Sequence, residues 1–179
     1  QNACQQLHNQ FVASARTVKI GHNIDPENMI GCMICGTCYY PLTCDPADIL
    51  ANRHKWEEGL LYCGDVQCLG EYGTYANRMW KKHNVKWNTE PQDFIDFKEG
   101  KVDMYTFSYY MTMCVSTHEA DKAGGNMSHG LKNPYLKYSD WGWAVDPSGL
   151  TYTLEVVNDR YHLPIIITEN GLGAYDTLE

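Results

Sequence analysis

Three short apolar runs, separated from one another by helical patterning, constrain this chain more than any other feature. Residues 29–35 form a continuous apolar run, 102–112 are rich in aromatic and β-branched side chains, and Pro164 introduces Ile165, Ile166, Ile167 and Thr168. Such runs predict strands covered on both faces, the pattern of a parallel sheet. Before them, residues 5–20 carry Leu7, Phe11, Ala15 and Val18 near a 3.6 period, which predicts an amphipathic helix. Tyr39, Tyr40 and Pro41 are expected to open a loop. Asp45-Pro46 and Asp146-Pro147 are helix starts, each an acceptor at the N-cap followed by a preset φ. Behind the first, Ile49, Leu50, the stem of Arg53, Trp56 and Leu60 are expected to be buried. Behind the second, Leu150, Leu154, Val157 and Tyr161 line one face. Residues 72–82 predict a further helix, and Thr89 with Gln92 has the spacing of a capping box for a short helix carrying Phe94 and Phe97. Residues 117–140 make a long polar, Gly-containing connection of the kind that carries function or disorder. The alternation of helix, strand, helices, strand, helix and strand predicts an α/β fold built from right-handed βαβ units. Chemistry in such sheets, open or closed into a barrel, sits at the carboxyl ends of strands. Here that means after Cys35, after Tyr110 and after Thr168.

Composition narrows the classes. The chain has 179 residues, 44% of them hydrophobic, with 14 Lys and Arg against 22 Asp and Glu for a formal charge of −8. Apolar content of this order excludes disorder, and length alone suits one domain. No run reaches the roughly 18 apolar residues of a membrane span. An acidic surface disfavours nucleic acid and anionic membrane as partners. The eight cysteines allow three readings: a disulfide framework, a metal cluster on Cys32, Cys35, Cys38 and Cys44 with Cys63 and Cys68 as further ligands, or reduced thiols packed as small hydrophobes. No secretory segment precedes them, so reduced thiols in a cytoplasmic protein are expected, with no metal. The histidines show no ligand spacing and are expected at the surface or at caps. Glu57, Glu58 and Asp65 are expected on solvated helix faces. Asn126-Met127-Ser128 matches a glycosylation acceptor, which a cytoplasmic chain would not use.

Thr168-Glu169-Asn170-Gly171 directly follows the three isoleucines. A carboxylate at the mouth of a strand is held by the sheet and can be aimed; it can equally be a solvated strand end with Asn-Gly supplying the turn. The longer segment, Ile165-Ile166-Ile167-Thr168-Glu169-Asn170-Gly171-Leu172-Gly173-Ala174, resembles the nucleophile signature of glycoside hydrolase family 1. Val102-Asp103-Met104-Tyr105-Thr106-Phe107-Ser108-Tyr109-Tyr110 resembles that family's sixth barrel strand. Ser139-Asp140-Trp141-Gly142-Trp143-Ala144-Val145-Asp146-Pro147-Ser148-Gly149-Leu150 resembles the entry to the helix before its seventh. The likeness runs through the first helix and Met29-Ile30-Gly31-Cys32-Met33-Ile34, so it covers essentially the whole chain. It is nearest to the bacterial 6-phospho-β-glucosidases, whose sixth strand reads Ser-Tyr-Tyr where the broader family has Asn-Tyr-Tyr.

The resemblance implies a partial (β/α)8 TIM barrel, roughly strands 5 to 7 with their helices. A full barrel takes about 250 residues. Residues 1–179 would then be the C-terminal portion of a single glycosidase domain, with strands 1 to 4 and 8 absent. It implies a retaining enzyme that hydrolyses 6-phospho-β-glucosides through a glycosyl-enzyme on Glu169, needing no cofactor. Tyr110 matches the tyrosine that orients the nucleophile, although a core aromatic is the plainer reading of the residue. Ser108 stands where the family has its substrate-binding Asn, and Trp141 where it places an aglycone platform, although a packed Trp would look the same in sequence. The family's acid/base Glu lies in an Asn-Glu pair on the fourth strand, ahead of Gln1, so the chain by itself is expected to be inactive. The loop that holds the 6-phosphate is also absent. The alternatives are a non-phospho β-glucosidase or a 6-phospho-β-galactosidase of the same family and, from another class, a Cys-rich metal-binding module. Oligomeric state is not legible.

Overall fold

In the computed structural model, which describes residues 2–124 and 130–177, helical and extended segments alternate as the patterning requires. Helix α1 (Asn2–Ile24) leads to strand β1 (Ile34–Cys35), strand β2 (Cys38–Pro41) and helix α2 (Pro46–Trp56). The helical path continues through a π-helical segment (Glu57–Leu61), α3 (Tyr62–Gly64) and a second π-helical segment (Asp65–Leu69), ending at left-handed Gly70. Next come α4 (Ala76–Lys82), α5 (Pro91–Glu99), β3 (Tyr105–Tyr109) and β4 (Thr112–Val115). The chain closes with β5 (Lys137–Tyr138), β6 (Ala144–Val145), α6 (Pro147–Tyr161) and β7 (Ile165–Asn170). Strands β1, β3 and β7 form one parallel sheet in that order, β2 pairs in parallel with β4, and β5 pairs antiparallel with β6.

The central strand β3 is buried on both faces as its run predicts, and one face of the sheet carries the apolar core. Cys32 and Ile34 from the β1 region and Tyr105, Phe107 and Tyr109 from β3 pack with Val18, Trp56, Leu60, Val157 and Tyr161. A second cluster of Phe11, Val12, Ala15, Tyr62 and Phe97 lies where α1 meets α5. Burying side chains of this size contributes about 1.5–3 kcal/mol each before chain entropy is charged against it. Both Asp-Pro starts form as expected. Asp45 accepts from the Ala47 N–H at 2.9 Å and Asp146 from the Gly149 N–H at 3.0 Å. The Asp146 carboxylate also takes the hydroxyls of Tyr40 (2.9 Å) and Thr112 (2.8 Å), so one residue ties α6 to β2 and to the start of β4.

Other expectations need correction. Residues 29–35 are not covered on both faces: Cys32 and Ile34 are buried while Met29 is 58% and Met33 54% exposed, the period-two pattern of a single covered face. Residues 102–112 are not one strand, because β3 stops at Tyr109 and β4 begins at Thr112 in a second sheet. There it meets β2, which contains the residues read as a loop, with Tyr39 opposite Met113 and Tyr40 opposite Cys114. The capping box of α5 lies one residue later than expected. Glu90 is the N-cap, and the Asp93 carboxylate accepts its N–H at 2.8 Å, because Pro91 must take the first helical position. Helix α4 begins at Ala76 rather than Tyr72, and Ile49 and Leu50 lie exposed on the outer side of α2.

Charged groups read as solvated are in fact internal. Asp65 is buried and accepts from Arg160 Nε at 2.6 Å and Nη2 at 2.7 Å, from Tyr75 at 2.8 Å and from Tyr161 at 3.1 Å. A side chain at Gly64 would collide with that Tyr161 hydroxyl, so glycine lets α6 close on the π-helical path. Glu57 is buried between Arg53 and Arg78, whereas Glu58 only approaches Lys82 at 3.6 Å. His8 is buried, held between the Tyr72 hydroxyl at 2.9 Å and Asp93 at 3.0 Å. The Asn126-Met127-Ser128 pattern lies outside the described residues. Within the long connection, Leu131 bridges to Cys114 and Lys122, and 137–138 form β5.

Asp48 fastens α2 to the chain leaving β4. Its buried carboxylate accepts from the Thr117 N–H at 2.6 Å and from the hydroxyls of Thr43 (2.7 Å), Ser116 (2.8 Å) and Thr117 (2.9 Å). Burial opposes its charge, but these donors outweigh burial and hold its pKa well below the usual carboxylate range. A depressed folded pKa gives stabilisation that is present in full above the ordinary Asp value near 4 and is lost as pH falls through the folded value. Asp48→Asn is therefore expected to lower the urea-unfolding midpoint at pH 7, with the gap from wild type narrowing below about pH 4. A gap that widens on acidification would contradict this.

Candidate active site

Strand β7 lies parallel to β3 with Tyr105 beside Ile165, Thr106 beside Ile166 and Phe107 beside Ile167. The register then shifts, and Ser108 stands beside Glu169 and Tyr109 beside Asn170, leaving Thr168 as an extra residue. Strict alternation would put Glu169 on the face of Ile165 and Ile167, the side shared with Tyr105 and Phe107. The bulge transfers it to the opposite face, with Thr106 and Ser108. Cys35 is the partner of Ser108 on β1. Cys35, Ser108 and Glu169 thus form one row across the carboxyl ends of the three parallel strands.

Tyr109 and Tyr110 separate as residues on opposite sides of a strand must. Tyr109 is buried, its hydroxyl donating to the Asp146 carbonyl at 2.6 Å. Tyr110 is half-buried, and its hydroxyl is near enough to the Glu169 carboxylate to feel its charge. Burial, and then the charge of Glu169, raise the phenol's pKa above its ordinary value, so the hydroxyl stays a donor across the working pH range. Trp141 is 42% exposed and meets Trp143 edge-on at 5.4 Å, and Trp143 meets Tyr110 edge-on at 5.5 Å. The Trp141 backbone N–H donates to the Gly173 carbonyl at 3.2 Å, and a Cβ at Gly173 would stand 2.8 Å from the indole. That glycine lets the segment leaving β7 lie directly on the ring.

Glu169, Tyr110, Ser108 and Trp141, all named from the sequence, are therefore brought to one end of one sheet. Ser108 is only 4% exposed, a floor residue beside the exposed carboxylate. Sequence reading missed Cys35, whose place in the row depends on register, and Trp143, the link between Trp141 and Tyr110. The metal-cluster reading of the cysteines is not what the fold builds. Cys32 and Cys38 are buried in the core and Cys35 and Cys44 are exposed. Among the described residues no group of three or more His, Cys, Asp or Glu side chains could hold a metal, and no helix is long and apolar enough to cross a membrane.

Residues 1–179 match glycosyl hydrolase family 1 along their full length. The chain belongs to that family. It is 48% identical over 177 residues to an aryl-phospho-β-D-glucosidase of Bacillus subtilis and 46% identical over 177 residues to a 6-phospho-β-glucosidase of Dickeya chrysanthemi, covering 98% of this chain in each case. It spans 38% of the length of both relatives. Among solved structures it superposes on a family 1 β-glucosidase from Thermotoga maritima with a TM-score of 0.75 at 21% identity, covering 97% of this chain and 38% of that one. The chain is thus a partial α/β segment with the fold of the family's TIM barrels.

An exposed carboxylate beside a phenol suits nucleophilic attack, since a phenol donor can orient it without hiding it from a ligand. In the family 1 protein that carries this chain, Tyr110→Phe is expected to lower kcat on an aryl β-glycoside by roughly 100-fold, the usual cost of removing one aimed donor. The thermal midpoint should hardly move, because Tyr110 is not in the main core. Full activity in this variant would remove Tyr110 from the site.

Proposed function

We propose that this chain is the nucleophile-bearing portion of a retaining β-glycosidase that hydrolyses 6-phospho-β-glucosides, with β1, β3 and β7 as the fifth, sixth and seventh strands of its barrel. The observation that carries the reading is Glu169, moved by a bulge to the open face at the strand ends beside Ser108, with the Tyr110 phenol near it. The printed activities of the two relatives at 48% and 46% identity favour the phospho branch. In the reaction a Glu169 oxygen bonds to the anomeric carbon as the bond to the aglycone oxygen breaks, that oxygen taking a proton from a second carboxyl group. The same group then removes a proton from water, which displaces Glu169. The two carboxyl groups of such enzymes stand about 5–5.5 Å apart.

The second carboxyl group is assigned to the family's Asn-Glu pair, outside these residues, so the 179-residue chain by itself is proposed to give no turnover. Trp141, exposed at the rim, is suited to stack on an aglycone, and Ser108 to line the floor beneath the sugar. No metal or organic cofactor is needed, because the two carboxyl groups supply both nucleophile and proton. All eight cysteines are free, which fits a reducing cytoplasm.

The test is hydrolysis of p-nitrophenyl β-glucoside by the full-length protein, with and without a 6-phosphate. The phosphorylated substrate is expected to give kcat/KM higher by roughly 100-fold or more, since a site built for a charged group rejects its absence strongly. Glu169→Gln should abolish both activities. Preference for the unphosphorylated sugar would make this a plain β-glucosidase, and preference for the galacto epimer a 6-phospho-β-galactosidase.

A further inference from the structure

The register shift in β7 sets the direction of Glu169, and something must hold the extra residue in place. Slipping β7 by one position would pair Ser108 with Thr168 and return Glu169 to the face of Ile165 and Ile167, away from Ser108. The side chain at the shift is Thr168. Its hydroxyl lies 3.2 Å from the Phe107 carbonyl oxygen, directly across the break in register, and 3.3 Å from Met33 Sδ. A hydroxyl has one proton, and the carbonyl is the stronger acceptor, so the Phe107 carbonyl receives the bond while the thioether packs against the hydroxyl oxygen. Met33 comes from the segment leading into β1 and is exposed on the face that Glu169 shares, so it reaches Thr168 across β3. On the far side of the bulge, the Asn170 side-chain amide donates to the Tyr109 carbonyl at 2.7 Å. The unpaired residue is thereby pinned on both sides by side-chain bonds to the backbone of β3.

We propose that Thr168 is a positioning residue for the nucleophile, its hydroxyl holding the β7 bulge to the Phe107 carbonyl so that Glu169 stays on the Ser108 face. It touches neither substrate nor the reacting atoms and acts only through the backbone of Glu169. The proposal rests on the reading of Glu169 as nucleophile. Valine at 168 keeps shape and branching but loses the donor, alanine loses both, and serine keeps the hydroxyl.

The experiment uses the full-length protein with Thr168→Val, Thr168→Ala, Thr168→Ser or Glu169→Gln. The probe is 2,4-dinitrophenyl 2-deoxy-2-fluoro-β-glucoside carrying a 6-phosphate. Its first-order labelling rate and final stoichiometry are read by intact mass, and the labelled residue by peptide mapping. Because a misplacement near 1 Å costs up to about 100-fold, Thr168→Val and Thr168→Ala are expected to label at least about 10-fold more slowly than wild type. They should reach the same final stoichiometry, with kcat reduced in step and KM within about threefold. Thr168→Ser should restore the wild-type rate. If valine at 168 prevents folding, the alanine variant carries the test. A variant that labels at the wild-type rate but to a lower stoichiometry would show a structural role only and overturn the proposal, as would wild-type labelling in every Thr168 variant. Label found away from Glu169, or undiminished turnover in Glu169→Gln, would instead overturn the nucleophile assignment on which the proposal stands.

Discussion

The parallel pairing of β7 on β3, interrupted by one residue at Thr168, is the constraint on which the rest of the site depends. Pairing aligns the carboxyl ends of the strands, and the interruption decides which face carries the charge. Without it, Glu169 would follow Ile165 and Ile167 to the face of Tyr105 and Phe107, away from Ser108. With it, the carboxylate emerges beside Ser108 and within reach of the Tyr110 hydroxyl.

The scaffold around that sheet is joined by buried carboxylates with complete sets of donors. Asp146 gathers Tyr40, Thr112 and the Gly149 N–H, joining α6 to the second sheet. Asp65 receives Arg160 through two nitrogens and two tyrosine hydroxyls, joining the π-helical path to the end of α6. Asp48 clamps the start of α2 to the chain beyond β4. Each of these groups is costly to bury and useful only because its donors come from distant parts of the chain, which makes it a specific lock between elements. Of the elements so locked, β4 follows Tyr110 in the chain and α6 leads into β7, the strand of Glu169.

Local signals were legible in the sequence where the physics is local. Asp45-Pro46 and Asp146-Pro147 begin helices because N-cap acceptor and fixed φ lie within two residues, and β7 forms where three isoleucines follow a proline. The break between β3 and β4 and the pairing of Tyr39 with Met113 escaped notice, because aromatic and β-branched residues favour strand whichever sheet receives them. Glu57, Asp65 and His8 read as surface residues in sequence for a related reason. Arg78 and Arg160 stand 21 and 95 residues from their carboxylates, and Asp93 stands 85 residues from His8, so no window of local sequence contains the pairs. At the site, Glu169 and Tyr110 were visible through the family resemblance. The bulge that brings Ser108 beside Glu169 and the row ending in Cys35 were not, since period-two reading assumes the unbroken register that this strand violates.

The most direct measurement is a crystal structure of the full-length protein after reaction with the fluoroglycoside 6-phosphate. The expected map shows a bond from a Glu169 carboxylate oxygen to the anomeric carbon, Glu169 beside Ser108 in the strand register, and Thr168 unpaired between Ile167 and Glu169. Continuous pairing through Thr168, or a sugar bonded to any other residue, would contradict the account.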